Sequence, residues 1–219
     1  MHGSLKRLKT DYLDIYLCQG FDPDSPYEEV VYAMNTLIQQ GKILYWGTSG
    51  WSAAQISTAH GEARRYNLIP PVTEQVQYNM FRRHQFELHI APLCADRGLG
   101  LMVWGPLASG ILSGKYNDGV PDISRATLDG MAWLRDELTP EHLDKVRELT
   151  ALAGDLNLTT AQLAIAWLLR RKDVCTVITG ATSVEQLEEN LEAGNAAGKL
   201  NEDVLERVEE ILGNLPEDE

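Results

Sequence analysis

The sequence predicts an α/β fold in which a parallel sheet is joined by helical crossovers. Three observations predict it. Val174, Thr176, Val177 and Ile178 form a short β-branched, apolar run of the kind that a parallel sheet buries on both faces. Val30, Val31, Met34, Leu37 and Ile38 recur at the i, i+3/i+4, i+7 spacing of an amphipathic helix. The two patterns then alternate through the chain, which demands crossovers rather than hairpins.

The elements follow in order. Ser4–Leu8 reads as the last turn of a helix, with Leu5 and Leu8 on one face and Lys6, Arg7 and Lys9 at its C-terminal end. Leu13–Cys18 is an apolar strand, and Tyr27–Gln40 is a helix stopped by Gly41. Ile43–Gly47 is a strand, and Ser52 caps a helix running to about Tyr66. Val72–Val76 is a short strand, followed by a helix over roughly His84–Asp96 and a strand at Leu99–Trp104. Gly105 to about Leu138 is the longest loop, and loops of that length are usually functional. Helices are expected at Glu141–Leu156 and at Thr160–Arg171, the second opened by Thr159 or Thr160. The strand Val174–Ile178 breaks at Gly180, and Ser183 with Gln186 predicts a capping box at the start of the next helix. An amphipathic helix, Asn201–Leu212, and an acidic tail, 214–219, end the chain, which is expected to form a single domain over 1–219.

With 219 residues, 44% hydrophobic and 23% charged, the chain has the composition of a soluble globular domain. A net charge of −13 argues against a nucleic-acid or anionic-membrane surface. No apolar run reaches membrane-spanning length. Cys18, Cys94 and Cys175 are scattered among apolar neighbours, without metal spacing, and read as buried thiols of a reducing cytoplasm. His84 and His89, five apart, do not share a helical face, so no metal site is expected there.

No G-x-G-x-x-G follows any strand, and five strand–helix units fall short of the eight that close a barrel. The strand ends nevertheless gather a polar set: Cys18–Gly20, Gly47–Trp51, Glu74 and Gln75, Trp104–Ser109, and Gly180–Thr182. Trp104 offers a stacking face or is a rim aromatic, and Lys115 and Arg125 pair with phosphates or are solvated loop charges. The turn from Gly180 into the helix at Ser183 is an anion site or an ordinary capped turn. No strand end carries a carboxylate pair, a Cys/His pair, or a serine beside a base, and Glu74 stands alone.

Five stretches in order resemble the aldo/keto reductases: YWGTSGWS (Tyr45–Ser52), PPVTEQVQYN (Pro70–Asn79), WGPLASGILSGKY (Trp104–Tyr116), SRA (Ser124–Ala126) and TGATSVEQLEENL (Thr179–Leu191). They look most like the branch related to the potassium-channel β subunits and microbial aldehyde reductases. The resemblance implies a (β/α)8 TIM barrel, here incomplete at about strands 4–8, binding NADP(H). Ser49 and Gln75 are then expected to hold the nicotinamide amide, and Trp104 to stack on its ring. Gly105, Pro106, Leu107, Ala108 and Ser109 would follow the ribose and pyrophosphate, with Lys115 on the pyrophosphate. Arg125, Thr182 and Gln186 would surround the 2′-phosphate, Glu189 and Asn190 the adenine, and Gly180 would be a further cofactor-binding residue.

The family's reaction is the reduction of an aldehyde or ketone, with Tyr as the acid, tuned by Lys and Asp, and a His orienting the carbonyl. By the resemblance, Asp, Tyr and Lys belong to strands ahead of this sequence, which is expected to be the C-terminal two-thirds of the domain. Gln19 stands at the His position, and an amide can donate a hydrogen bond there but not a proton. Gly50 stands where the channel branch has Arg. Three functions follow: a reductase acting on a small carbonyl substrate, a non-catalytic redox-sensing accessory subunit, or a degenerate remnant. Homo-oligomers are expected on analogy alone.

Overall fold

The computed structural model describes residues 1–217; Asp218 and Glu219, the end of the expected acidic tail, lie outside the described residues. Five strands, β1 (Leu13–Gln19), β2 (Ile43–Ser49), β3 (Thr73–Gln77), β4 (Gly100–Trp104) and β5 (Val174–Ile178), are hydrogen-bonded in chain order. The β1–β2 and β2–β3 ladders are parallel, as the alternation demands. The helices are α1 (His2–Leu8), α2 (Tyr27–Gln39), α3 (Ala53–Arg65), α4 (Ala91–Arg97), α5 (Ala132–Glu137), α6 (Pro140–Asp155), α7 (Thr160–Leu169), α8 (Val184–Ala196) and α9 (Glu202–Leu212). The residues form two compact units, one from Met1–Val76 and Glu87–Met102, the other from Gln77–Phe86 and the chain from Val103 onward.

In the first unit, one face of β1 and β2 packs on α2 and α3. Val31, Met34, Ile43, Trp46 and Ala63 form the core, with Tyr16 and Cys18 against it. Each fully buried large side chain of this kind contributes about 2–3 kcal/mol. Trp46 Nε1 donates to the Ile69 carbonyl at 2.9 Å, so burying its ring leaves no orphan donor. A Cβ at Gly47 would lie 2.4 Å from the Thr73 carbonyl oxygen, so β2 and β3 approach here only because that position is glycine.

In the second unit, Thr160 to Leu168 of α7 are all buried, so this helix is covered on every side, its polar Thr160 and Gln162 bonding Thr150 and Glu192. Tyr78 stacks on Phe86 at 3.8 Å and tilts against Trp167 at 5.3 Å. Arg83, 4% exposed, pairs with Glu209 of α9, and its guanidinium lies 5.2 Å from the Trp167 ring centre. Asn214 Nδ2 donates to the Met80 carbonyl at 2.8 Å, which fixes the chain leaving α9.

Several expectations needed correction. The helix expected over His84–Asp96 begins as a π-helical segment, Gln85–Ile90, before α4. The long loop carries 3₁₀ segments at Ala108–Ser113 and Arg125–Thr127, and then α5. β5 is not buried: Val174 is covered, but Cys175, Thr176 and Ile178 are exposed. It is the last strand in the hydrogen-bonded order, and an edge strand is not covered as a central one is. Of the cysteines, only Cys94 is buried; Cys18 is half-buried and Cys175 is exposed.

Candidate functional site

The end of β2 lies between the ends of β1 and β3. Gln19 pairs with Ser49 in the β1–β2 ladder, and Ser49 with Gln75 in the β2–β3 ladder. Three polar side chains singled out from sequence thus share one rung of adjacent parallel strands, pointing to one face. Ser49, 5% exposed, donates its hydroxyl to Gln75 Oε1 at 3.1 Å. That bond leaves lone pairs on Ser49 Oγ and the N–H donors of the Gln75 amide, a complementary set for a primary carboxamide.

The neighbouring pair, Thr48 and Glu74, points to the opposite face. Glu74 is fully buried, and it is far from alone. Its Oε2 accepts the Thr48 hydroxyl at 2.5 Å, and its Oε1 accepts the N–H groups of Gly50 at 2.7 Å and Trp51 at 3.2 Å. Burial pushes the carboxyl up to about 7, against the pull of these three hydrogen bonds. The turn it holds runs into Ser52, which forms the full capping box of α3 with Gln55. The sequence placed Glu74 among the strand ends but left it without partners, because no motif marks a carboxylate whose partners are backbone amides.

In the second unit, β4 ends at Trp104, 41% exposed and so open to stacking. The chain after it is unusually bent. Ala108 and Ser109 hold positive φ values of 45° and 59°, rare for residues with a side chain, and Gly110 follows at 101°. Asn79 Nδ2 fixes the start of this turn by donating to the Gly105 carbonyl at 2.8 Å. A Cβ at Gly110 would fall 2.7 Å from Lys115 Nζ, so glycine alone lets the lysine lie across the turn. The buried Tyr116 hydroxyl beside it has no hydrogen-bond partner among the described residues. Gly105, Leu107, Ala108 and Ser109 are half-buried, Pro106 is buried, and Lys115 is exposed.

The third set lies on the turn from β5 into α8. Ser183 accepts the Gln186 N–H at 3.3 Å, as expected of a cap. The expected reciprocal bond is not formed: Gln186 Oε1 instead accepts from the Thr182 N–H at 2.9 Å and the Thr182 hydroxyl at 3.0 Å. Thr182 precedes the cap and offers two donors to one amide oxygen, so it outcompetes the single Ser183 N–H. Thr182, Ser183 and Gln186 are exposed, as is Gly180. Arg125 is exposed at the start of its own 3₁₀ segment. Glu189 is half-buried, while Asn190 is buried at 8%, with Ala193 and Ala196 on the covered face of α8.

Two of these segments, the turn after Trp104 and the capped start of α8, expose polar groups in a region of bent backbone, the usual setting of a ligand loop. Residues 1–213 match the model of the aldo/keto reductase family. The chain belongs to the aldo/keto reductase family. Members of that family act on carbonyl substrates and generally use NAD(P)H, so membership points to an oxidoreductase. Among the described residues of this aldo/keto reductase, no His, Cys, Asp or Glu cluster could hold a metal ion. No helix among them is long and apolar enough to cross a membrane.

Proposed function

We propose that this aldo/keto reductase chain binds NADP(H) and supplies the cofactor-binding part of a carbonyl reductase, corresponding to strands 4–8 of the family's barrel. The observation that carries the reading is the Ser49–Gln75 pair at 3.1 Å, whose remaining donors and acceptors complement a primary amide. Three other residues also suit parts of such a nucleotide. Trp104 presents an open ring, Lys115 lies across a turn that a side chain at Gly110 would fill, and the orphaned Tyr116 hydroxyl sits beside it.

In this reading Ser49 and Gln75 orient the nicotinamide amide, and Trp104 covers one face of the ring. Gly105, Pro106, Leu107, Ala108 and Ser109 follow the ribose and pyrophosphate, and Lys115 offsets the pyrophosphate charge. Arg125, Thr182 and Gln186 serve the 2′-phosphate, with the N-terminal end of α8 favouring the anion and Gly180 on the turn that leads to it. Glu189 and Asn190 flank the adenine, Asn190 through the packing of α8. The bound nucleotide supplies the hydride.

A second reading is favoured by Gln19. Its side chain is exposed on the same rung as Ser49 and Gln75, and an amide orients a carbonyl without protonating it. With Gln19 at the family's His position, the chain binds nucleotide and orients a carbonyl without turning it over, as in an accessory subunit of the channel-β branch. Titrating NADPH while following tryptophan fluorescence tests the reading. We expect saturable quenching, weakened about tenfold by Trp104→Ala, the value of one lost stacking contact. Aldehyde-dependent NADPH oxidation by the purified chain would instead show that it is a complete catalyst.

A further inference from the structure

We infer that Glu74 is the positioning residue of the amide-binding pair, clamping both flanks of Ser49 and setting by its charge how firmly Ser49 and Gln75 are held for the nicotinamide amide. The inference rests on the NADP(H) reading. Its geometry does not. Thr48, immediately before Ser49, donates to Glu74 Oε2 at 2.5 Å. Gly50, immediately after it, donates to Glu74 Oε1 at 2.7 Å, and Trp51 donates to the same oxygen at 3.2 Å. Gly50 N–H also reaches the Gln75 carbonyl at 3.1 Å, so one glycine amide ties the Ser49 turn to both Glu74 and Gln75. Gly50 holds φ at +73°, a conformation that needs such ties to be a single state.

Strand alternation puts the Glu74 carboxyl on the face opposite to Ser49 and Gln75. It therefore touches no amide bound on their face and acts only through them. Its two protonation states are not equivalent. As a carboxylate it accepts all three bonds. Once protonated on Oε2 it must donate to Thr48, whose hydroxyl then turns, and the Gly50 and Trp51 amides lose a charged acceptor. Burial places this change at about 7. The groups facing Glu74 are the Thr48 hydroxyl from β2 and the two amides of the β2–α3 turn, and no charged side chain contributes to its shift. His60 on α3, a buried titratable group of the same unit, is held down by burial, and then by Arg97 and Arg64 against a bond to Pro71, while the Cys18 thiol of β1, in register with Thr48, is pushed up by burial.

The test is the NADPH dissociation constant of the wild-type chain, Glu74→Gln and Glu74→Ala from about pH 5.5 to about pH 8.5. Gln keeps the acceptor for the two amides and donates toward Thr48, as the protonated acid does. The nucleotide's own phosphates titrate in every variant, so the ratio of wild type to Glu74→Gln isolates Glu74. We expect that ratio to be near one at the acid end and wild type to bind about fivefold tighter at the alkaline end. Glu74→Ala should bind about tenfold more weakly than Glu74→Gln throughout. In the ligand-free protein, the amide shifts of Gly50 and Trp51 should move with a midpoint near 7 and stay still in Glu74→Gln. Should Glu74→Ala not fold, Glu74→Gln and the amide shifts carry the test. A flat ratio with wild-type binding, or motionless Gly50 and Trp51 amides, overturns the role of Glu74 alone. Absence of NADPH binding by wild type overturns the cofactor reading and this role together.

Discussion

Two turns of this molecule carry the same four-residue signal. Ser52 to Gln55 opens α3, and Ser183 to Gln186 opens α8, each a serine cap with glutamine three residues later after a strand and a glycine. At the first, both capping-box bonds form, and a buried carboxylate clamps the residues just ahead of the cap. At the second, the serine bond forms, but the glutamine turns back to Thr182, and the turn stays exposed. Local sequence thus decides where a helix starts. Whether the turn before it is rigid depends on what a neighbouring strand brings to it, here Glu74 from β3. A rigid turn suits the recognition of a flat amide, and an open one suits a solvated phosphate.

Substitutions should break the comparison unequally. Glu74→Ala removes the acceptor of three buried donors and should destabilise the chain by about 3 kcal/mol in urea unfolding, with no counterpart at the α8 turn. The pH dependence of stability should sharpen it next. A carboxyl raised from 4.5 to about 7 binds more protons folded than unfolded, so its contribution is full below about pH 4.5 and is lost as pH rises through about 7. Over that window wild type should lose about 3 kcal/mol relative to Glu74→Gln, at about 1.4 kcal/mol per unit. His60 acts in the opposite sense: its lowered value gives stability that is present above about pH 6.5 and is lost as pH falls. Removing the caps should show the smallest effects. Ser52→Ala should cost about 1 kcal/mol, and Ser183→Ala about half of that, because Gln186 bonds Thr182 whether or not the serine is there.

Much of this was legible in the sequence, for identifiable reasons. The amphipathic spacing of Val30 to Ile38 and the cap at Ser52 are local signals, and α2 and α3 follow them to within a residue or two. The rung of Gln19, Ser49 and Gln75 was legible as a set of strand ends, since parallel strands align their C-terminal ends on one rim. The clamp that Glu74 makes was not legible, because two of its three partners are main-chain amides of the turn after β2, and main-chain groups carry no sequence signature. The exposure of β5 was hidden for a similar reason. VCTVI reads as a buried strand, and only the hydrogen-bonded order of the strands reveals it as an edge. The π-helical start at Gln85 and the positive φ angles of Ala108 and Ser109 were hidden too, since their residue types do not demand either conformation.

The central proposal is that this aldo/keto reductase chain binds a phosphorylated nicotinamide nucleotide. Calorimetric titration of the purified chain with NADPH and, separately, with NADH tests it most directly. The account predicts one saturable site per chain for NADPH and markedly weaker binding of NADH, which lacks the phosphate assigned to Arg125, Thr182 and Gln186. No saturable heat with NADPH, or equal affinity for the two nucleotides, would contradict it.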